Sequence, residues 1–250
     1  MTTAIVLDRA GQRLSPCAAA KAWELVESGQ AALVCPDPLT IQLPYAVALP
    51  TRPPEEAYQG QRLLLHICCG PCATYSVQRL REVGFDLTGY WHNPNIHPFG
   101  EHELRRESLL AYARAVELPL LQSEGYDMVA FLRRVTGHER RGERCAICYE
   151  MRLTATAQAA SEGGYDAIST TLLISPYQDQ RLIREIGERV AAAHGVAFYY
   201  ENLRRGWAER GRLAREHGLY QQRYCGCLYS EWEALSPTGR ASLADQAARP

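Results

Sequence analysis

The chain has 250 residues, 46% of them hydrophobic, and a formal net charge of -1 at pH 7. A chain of this length buries a sizeable core without disulfides, and its near neutrality excludes a uniformly basic nucleic-acid-binding protein. No run approaches the ~18 apolar residues of a membrane span, and the first residues show no signal-peptide pattern, so we expect a cytoplasmic protein with no membrane partner.

The N-terminal part of the chain, residues 1–47, has the pattern of a small α+β module. Prolines then punctuate a polar stretch at residues 48–61, which predicts a linker because proline continues neither a helix nor a central strand. The elements predicted for the module are a strand at 4–7, a helix at 18–28, and strands at 31–35 and 39–43.

Residues 62–234 alternate apolar strand patterns with helical patterns, which is typical of a parallel sheet covered by helices on both faces. In such a Rossmann-like fold, ligands bind beyond the carboxyl ends of the strands. Residues 235–250 are expected to form a C-terminal tail. The predicted strands are 62–67, 87–91, 118–122, 167–170 and 196–200, and the predicted helices are 71–83, 103–117, 127–135, 145–161 and 179–194.

Seven of the nine cysteines fall into three short clusters. Structural cysteines usually occur singly, whereas soft-metal and redox sites need several sulfurs at one point, so the clusters indicate a metal or electron-transfer centre. We interpret the isolated Cys17 and Cys35 as packing residues. The clusters are Cys68, Cys69 and Cys72 after the first strand of the sheet, Cys145 and Cys148 at the start of a helix, and Cys225 and Cys227 in the sequence YCGC.

The first two clusters together offer four thiolates, the number taken by a 4Fe-4S cluster and also by a structural zinc site. The CxxC spacing at a helix N-terminus favours the thiolate form. It leaves zinc, an iron–sulfur cluster and a dithiol redox pair all open. The four candidate ligands are Cys68, Cys69, Cys145 and Cys148.

The third cluster has only Gly226 between its two cysteines. Because glycine lets the backbone turn sharply, Cys225 and Cys227 suit either two ligands of one metal ion or a strained, easily reduced disulfide. Cys72 lies one turn into its helix, where it either points into the same site or packs in the core.

Two loops at the carboxyl ends of predicted strands carry polar side chains suited to holding a ligand, unless these side chains only satisfy their own proline-rich turns. Of the 27 basic residues 26 are arginine, and runs of them lead into the second and third cysteine clusters. These runs form either phosphate-binding patches or solvated helix faces. The loop candidates are His92, Asn93, Asn95 and His97 after the second strand, and Ser175 and Tyr177 after the fourth.

Five motifs in the order HICCGPC, YWHNPNIHPFGEHELRRE, RCAICYEMRL, STTLLISPYQD and YQQRYCGCLYS resemble the QueH family of epoxyqueuosine reductases over about residues 62–234. The resemblance implies a Rossmann-like domain related to adenine nucleotide alpha-hydrolases and a 4Fe-4S cluster. It also implies cobalamin-independent, two-electron removal of the epoxide oxygen from epoxyqueuosine at wobble position 34 of tRNA. The implied partners are tRNAs for Tyr, His, Asn and Asp, which have GUN anticodons, and an external electron donor.

Carried over by motif, the resemblance implies that Cys68, Cys69, Cys145 and Cys148 bind the cluster. It implies that Cys225 and Cys227 are the catalytic redox pair or ligands of a second mononuclear metal ion, iron or zinc. A modified base must be splayed out of its strand to reach such a site and is then held by stacking and by phosphate contacts. The candidates for stacking are Trp91, Tyr177 and Tyr224, and those for phosphate contacts include Arg140 and Arg141.

The N-terminal module has a resemblance of its own, carried by the sequence IVLDRAGQRLSPCAAAKAWELVESGQAALVCPDPLTIQL. It is similar to the PLMP or RRXRR-type module found at the start of transposon-encoded RNA-guided nucleases, and we expect it to be an accessory extension. Two other functions compete for the chain as a whole. One is a PP-loop-type, ATP-dependent tRNA-modifying enzyme that resembles a thiolase, and the other is a zinc-stapled RNA-binding module.

Overall fold

The protein is described by a computed structural model that covers residues 3–14, 16–46 and 56–248. The chain divides into two compact units, Met1–Arg52 and Pro53–Pro250. Of the predicted linker, residues 48–55 lie outside the described residues. None of the helices in the described ranges combines the length and the apolar character needed to cross a membrane.

The N-terminal unit is the predicted α+β module, built on a four-stranded sheet with the order β2-β1-β4-β3. The first strand pairs in parallel with the fourth and antiparallel with the second. Ala4, Val6 and Ile41 point to one face and pack against Ala22 of the helix, because successive strand residues alternate between faces. The elements are β1 Thr3–Leu7, β2 Cys17–Ala18, α1 Ala19–Glu27, β3 Ala32–Pro36 and β4 Leu39–Gln42.

The second unit contains a five-stranded, fully parallel sheet with the order β7-β6-β5-β8-β9, which confirms the predicted fold class. The strands are β5 Arg62–His66, β6 Asp86–Trp91, β7 Leu120–Gln122, β8 Ala167–Thr170 and β9 Ala197–Phe198. The helices are α2 Gly70–Glu82, α3 Phe99–Ala115, α4 Met128–Val135, α5 Glu143–Glu162, α6 Gln180–Ala193, α7 Trp207–Glu216, α8 Leu228–Leu235 and α9 Pro237–Ala248, with 3-10 turns at Thr171–Ile174 and Leu203–Gly206.

The central strand β5 is buried on both faces. Leu63 and Leu65 belong to the core on one side of the sheet, and Leu64 belongs to the core on the other side. A strand covered by helices on both faces reads as a continuous apolar run, which is why RLLLH is a strong strand signal.

The strand order reverses at β5. The chain runs from β5 outward through β6 and β7, then returns to β8 on the opposite side of β5. The carboxyl ends of β5 and β8 therefore border the crevice in which open parallel sheets bind ligands. Cys68 follows β5 and Thr171 follows β8, and the Cys68 backbone N–H donates to Thr171 Oγ1 at 3.0 Å.

The helices after β9 were not predicted from the sequence pattern. Helix α7 has a weak apolar pattern, but Arg212 lies within ion-pair distance of both Glu209 and Glu216, which supports a helix through pairs three and four residues apart. The expected C-terminal tail contains helix α9. Helix α3 begins four residues earlier than predicted, directly after Pro98, and strand β7 begins two residues later than predicted.

Candidate metal and redox centre

Three cysteine sulfurs meet where β5 passes into α2. The Sγ atoms of Cys68, Cys69 and Cys72 all lie within 4.8 Å of one another, and in the described parts of the chain this is the one group of three or more side chains arranged to hold a metal ion. The helix begins at Gly70 with Pro71 in its first turn, where proline is well tolerated. Cys72 lies in this first turn, where its sulfur is close to those of the two cysteines at the strand end.

The triad is prepared to carry negative charge on one sulfur. Hydrogen bonds from the thiols of Cys69 and Cys72 hold the pKa of Cys68 well below its usual value, with further help from the Arg152 charge and the Thr171 hydroxyl. Burial raises the pKa of Cys69 to about 12, although the amide of Gln222 donates to its sulfur at 3.0 Å. One thiolate flanked by two thiols is a ready starting point for a soft metal, which replaces the remaining protons.

The second cluster lies in the first two turns of α5. Cys148 is buried and Cys145 is partly buried. Burial raises the pKa of both thiols, that of Cys148 to about 12. The expectation that the helix N-terminus favours thiolate is therefore outweighed here by desolvation. These two sulfurs become good ligands only when a cation compensates for that desolvation.

The third cluster is held in place by a buried arginine. Arg105 of α3 donates to the backbone oxygens of Cys225 at 2.8 Å and Tyr224 at 3.1 Å. Between the two cysteines, Gly226 has a φ of 154°, a backbone conformation that residues other than glycine rarely adopt. Cys225 is exposed, whereas Cys227 is buried. The turn therefore leaves one residue of the pair at the surface and the other inside, and burial of the thiol still raises the pKa of Cys225.

Buried Arg152 connects the three clusters. Its Nη1 lies 3.6 Å from Cys148 Sγ, and its charge also acts on Cys68 and Cys225, so it reaches one cysteine from each cluster. Its Nη2 donates to Asn93 Oδ1 at 2.7 Å, and its Nε donates to His66 Nε2 at 3.2 Å. A single guanidinium thus contacts a thiol of the second cluster and acts through its charge on one thiol of each of the other two clusters.

His66 and Asn93 fix the position of that guanidinium. Burial holds the pKa of His66 well below its ordinary value, so the ring is neutral and its Nε2 accepts the hydrogen bond from Arg152. The other ring nitrogen, Nδ1, then carries the proton and donates to Thr170 Oγ1 at 2.8 Å. The Asn93 amide donates to the Ile67 backbone oxygen at 2.9 Å. Asn93 therefore connects the Arg152 guanidinium to the backbone just after strand β5.

An open cleft of about 530 Å³ lies beside the second and third clusters. Its walls include Cys145, Tyr149 and Gln178, and Gln178 Nε2 lies 3.4 Å from Cys225 Sγ. Arg141 and Tyr177 line it as well. The cleft gives a ligand from solvent access to Cys145, and Gln178 lies between the cleft and Cys225.

The other predicted substrate residues lie in different environments. Trp91 is 3% exposed and its Nε1 donates to His102, so its ring packs in the core. His92 is partly buried and contacts Ser123. Tyr177 is 69% exposed, which leaves its ring available to a ligand. The remaining predicted residues are Asn95 and His97, both buried, Tyr224 and Ser175, both partly buried, and Arg140, which is exposed.

Several residues at this centre were not predicted from the sequence. Arg105, Arg152, Gln178 and Gln222 each contact a cysteine, and Tyr149 holds Gln178. Arg152 lies four residues after Cys148 on the same helix, and that spacing puts both side chains on one face. The other four also lie inside the quoted motifs, but no spacing connects them to their partners, which are distant in sequence.

Similarity to known proteins covers the part of the chain that contains the three cysteine clusters. The family model Epoxyqueuosine reductase QueH matches residues 63–233. The curated epoxyqueuosine reductase QueH of Dehalococcoides mccartyi is 38% identical over 69% of this chain and 93% of its own length. The QueH proteins of Histophilus somni and Thermotoga maritima are each 35% identical, covering 72% and 67% of this chain and 76% and 89% of their own lengths.

The N-terminal module matches the RRXRR protein family over residues 4–57. Among solved structures, a predicted subunit of tRNA methyltransferase from Methanocaldococcus jannaschii is 13% identical, with a TM-score of 0.42 over 62% of this chain and 75% of that chain, a likeness too weak to support an argument. The two resemblances drawn from the motifs are confirmed, and so is the oxidoreductase class. The chain belongs to the QueH family of epoxyqueuosine reductases.

Proposed function

We propose that this protein reduces epoxyqueuosine to queuosine at wobble position 34 of tRNA, without cobalamin, in the cytoplasm. The observation that carries the proposal is the meeting of three cysteine clusters around one buried guanidinium, beside an open cleft, in a chain of the QueH family. The curated relatives are named for this activity. A redox reaction on a bulky substrate needs both features, electron-transfer groups and access from solvent.

The cysteines fit a 4Fe-4S cluster by the chemistry of their donors. Thiolate sulfur is the ligand that such clusters use, and the low-pKa Cys68 lies in a triad of sulfurs within 4.8 Å of one another. Cys72 belongs to that triad and is the alternative ligand on its side. When bound, the cluster supplies one-electron transfer. By motif, we assign its ligands as Cys68, Cys69, Cys145 and Cys148.

Arg152 has a clear task in such a centre. Within the described residues, its hydrogen-bond partners are His66, Asn93 and Cys148, none of them a carboxylate. A buried guanidinium requires a nearby negative charge, and thiolates supply it. Arg152 thus offsets charge that the thiolates bring into the protein interior.

The reaction needs two electrons, two protons and a destination for the oxygen. The epoxide loses its oxygen as water, and the two ring carbons become an alkene. Cys225 and Cys227 balance this step if they are oxidised to a disulfide, since that releases two electrons and two protons, and an external donor then reduces them again. Their alternative role is to hold a second mononuclear metal ion, iron or zinc.

The substrate is a tRNA with a GUN anticodon, as in the tRNAs for Tyr, His, Asn and Asp. Its wobble nucleotide must leave the anticodon stack to reach sulfur in the cleft. Exposed Tyr177 offers a stacking surface, and exposed Arg140 and Arg141 offer positive charge next to the cleft.

The proposal is tested with protein purified and reconstituted without oxygen, by following conversion of epoxyqueuosine to queuosine in tRNA by mass spectrometry. We expect Cys145→Ala and Cys148→Ala to lower iron and sulfide content and abolish turnover, because each removes a thiolate ligand. Cys17→Ala in the N-terminal unit is the matched control and should change neither. Wild-type iron and sulfide content in both variants would refute the cluster assignment.

The same measurements distinguish the role of the third cluster from that of the first two. Cys225→Ser and Cys227→Ser should abolish turnover while most of the iron and all of the sulfide remain, since we place this pair in the redox step. Loss of one metal ion per chain without loss of sulfide would assign the pair to a second metal. Near-normal turnover in either variant would contradict a catalytic role. Strict dependence on ATP, or zinc without iron, would support the two competing functions.

A further inference from the structure

Gln178 lies between the cleft and the third cysteine cluster. It lines the cleft, and its Nε2 is 3.4 Å from the sulfur of exposed Cys225. Its Oε1 accepts a hydrogen bond from the hydroxyl of Tyr149 at 2.7 Å. The two ends of one amide therefore contact two different residues of the centre.

The direction of this amide is determined by Tyr149. Its hydroxyl donates to Gln178 Oε1 at 2.7 Å. The same hydroxyl oxygen lies 3.4 Å from the backbone N–H of Asp179, which approaches as a donor and leaves the hydroxyl proton for Gln178. Since Oε1 takes that proton, the NH₂ group must face Cys225 and the cleft. An amide NH₂ has two hydrogens, and Cys225 uses one of them.

The loop that carries Gln178 is also held firmly. Arg204 donates to the backbone oxygens of Ser175 at 3.2 Å and Gln178 at 2.5 Å, and Arg141 donates to that of Tyr177 at 3.2 Å. Charge-assisted hydrogen bonds to three carbonyls of a four-residue loop hold the backbone in one position. The amide is thus preorganised by its own loop and by Tyr149, as a group acting in catalysis needs to be.

We propose that Gln178 is a catalytic residue that holds the Cys225 sulfur with one amide hydrogen and donates the other to the epoxide oxygen of the substrate. This inference rests on the proposed function. As the two C–O bonds break, the oxygen keeps both bonding electron pairs and takes two protons to leave as water, while two electrons from the redox groups complete the alkene. Gln178 keeps its own protons and stabilises the charge that develops on that oxygen. Electrons still come from the redox groups, so the balance of the reaction is unchanged.

The test compares Gln178→Leu, Gln178→Glu and Tyr149→Phe in the full, reconstituted protein. Removing a preorganised donor to a developing oxyanion costs about 10²–10³ in kcat, so both Gln178 variants should fall by that factor with KM changed only a few-fold. Tyr149→Phe keeps the amide but frees it to rotate, and a smaller loss of roughly tenfold is expected. Iron and sulfide content should stay at the wild-type level.

The chain offers a matched control in Tyr200→Phe. The Tyr200 hydroxyl also donates to a glutamine amide, that of Gln180 at 3.3 Å, but the far end of this amide donates to the Leu173 backbone oxygen rather than to a sulfur. The same substitution therefore removes an equivalent hydrogen bond to a glutamine that also lines the cleft but whose NH₂ group is held by a backbone oxygen. Wild-type kcat is expected for Tyr200→Phe.

A second readout does not depend on turnover. In metal-free protein at fixed pH, alkylation of Cys225 by iodoacetamide, followed by peptide mass spectrometry, should slow about threefold in Gln178→Glu, because a carboxylate replaces a donor beside the sulfur. Unchanged alkylation together with kcat within twofold of wild type in Gln178→Leu would overturn the proposal. If wild-type protein reduced no epoxyqueuosine, the proposed function would fail, and alkylation would still test the contact. If Gln178→Leu lost iron, the kcat of Tyr149→Phe would test the proposal in its place. The expected loss would support the role of Gln178, and wild-type kcat would overturn it.

Discussion

Arg105 should contribute much more to stability than its sequence neighbour Arg106. Both arginines lie on α3, and each pairs with a glutamate of the same helix at 2.7 Å. The Arg105 side chain is 1% exposed, whereas that of Arg106 is 30% exposed. Arg105 also donates to the two backbone oxygens that lead into the third cysteine cluster. The pair therefore offers the same substitution in two environments.

The magnitude follows from burial. Arg105→Met removes the partner of the buried Glu101 side chain and leaves the carbonyls of Tyr224 and Cys225 without the Arg105 donor. Breaking a buried ion pair from one side costs about 3–5 kcal/mol, whereas a partly exposed pair contributes about 0–1 kcal/mol. In a folded unit of this size, each kcal/mol lowers Tm by about 2–4 °C. We therefore expect a fall of roughly 6–20 °C for Arg105→Met and less than about 4 °C for Arg106→Met.

Thermal unfolding of the two variants, followed by circular dichroism, measures this difference. Alkylation of Cys225 in the folded state gives a second signal, because release of the YCGC segment should change its rate in Arg105→Met alone. Equal Tm values for the two variants would refute the reasoning, since they would mean that Arg105 does not anchor the third cluster. A large fall in Tm with unchanged Cys225 reactivity would confine the role of Arg105 to its pair with Glu101.

Three further expectations concern single positions. Burial lowers the pKa of His97 to about 4, below the unfolded value of about 6.5. The free energy of unfolding should therefore fall as the pH drops from 6.5 to 4, by up to about 1.4 kcal/mol per pH unit. Urea unfolding of His97→Leu should show a shallower fall over the same pH range. Gly226→Ala should lower the free energy of unfolding in urea by about 1–3 kcal/mol and lower turnover, because a Cβ would lie 3.1 Å from Asn95 Nδ2. Gly218→Ala is the control and should have a milder effect, since no atom lies within 4 Å of its Cβ. Equal effects of the two substitutions would contradict this reasoning. Arg140→Ala should weaken the binding of modified and unmodified anticodon stem-loops equally and reduce the slope of log affinity against log salt by about 0.9. Arg212→Ala, at another exposed arginine, is the control. An unchanged slope in Arg140→Ala would mean that Arg140 does not contact RNA.

The sheet was predictable because its signals are local. Strand β5 is apolar along its length, and the turn residues around it are close in sequence, so the strand and the cysteines at its end could be located together. The same holds for Cys145 and Cys148 at the start of α5. What a short window of sequence contains is periodicity and spacing, and these determine elements and their order.

The partners of the cysteines were not predictable in this way. Arg105 meets Cys225 from 120 residues away, and Arg152 meets His66 from 86 residues away. Such contacts exist only after the sheet and its helices have assembled. The third sulfur of the triad illustrates the same limit, because the sequence left Cys72 open between the site and the core, and the folded structure is what puts it beside Cys68 and Cys69.

The arginine runs show why a count of charges overstates the surface available to RNA. Arg144 belongs to the run before the second cluster, but it is buried and donates to Glu233 at 2.5 Å and to the Glu139 backbone oxygen at 2.6 Å. In the later run, Arg204 binds loop carbonyls and Arg210 lies over the ring of Trp207. Arginine suits these tasks because its planar fork makes several directed hydrogen bonds and stacks on aromatic rings. Part of each run therefore holds the fold, and the positive charge left for phosphate contacts in the first run includes Arg140, which is exposed and adjacent in sequence to Arg141 in the cleft wall.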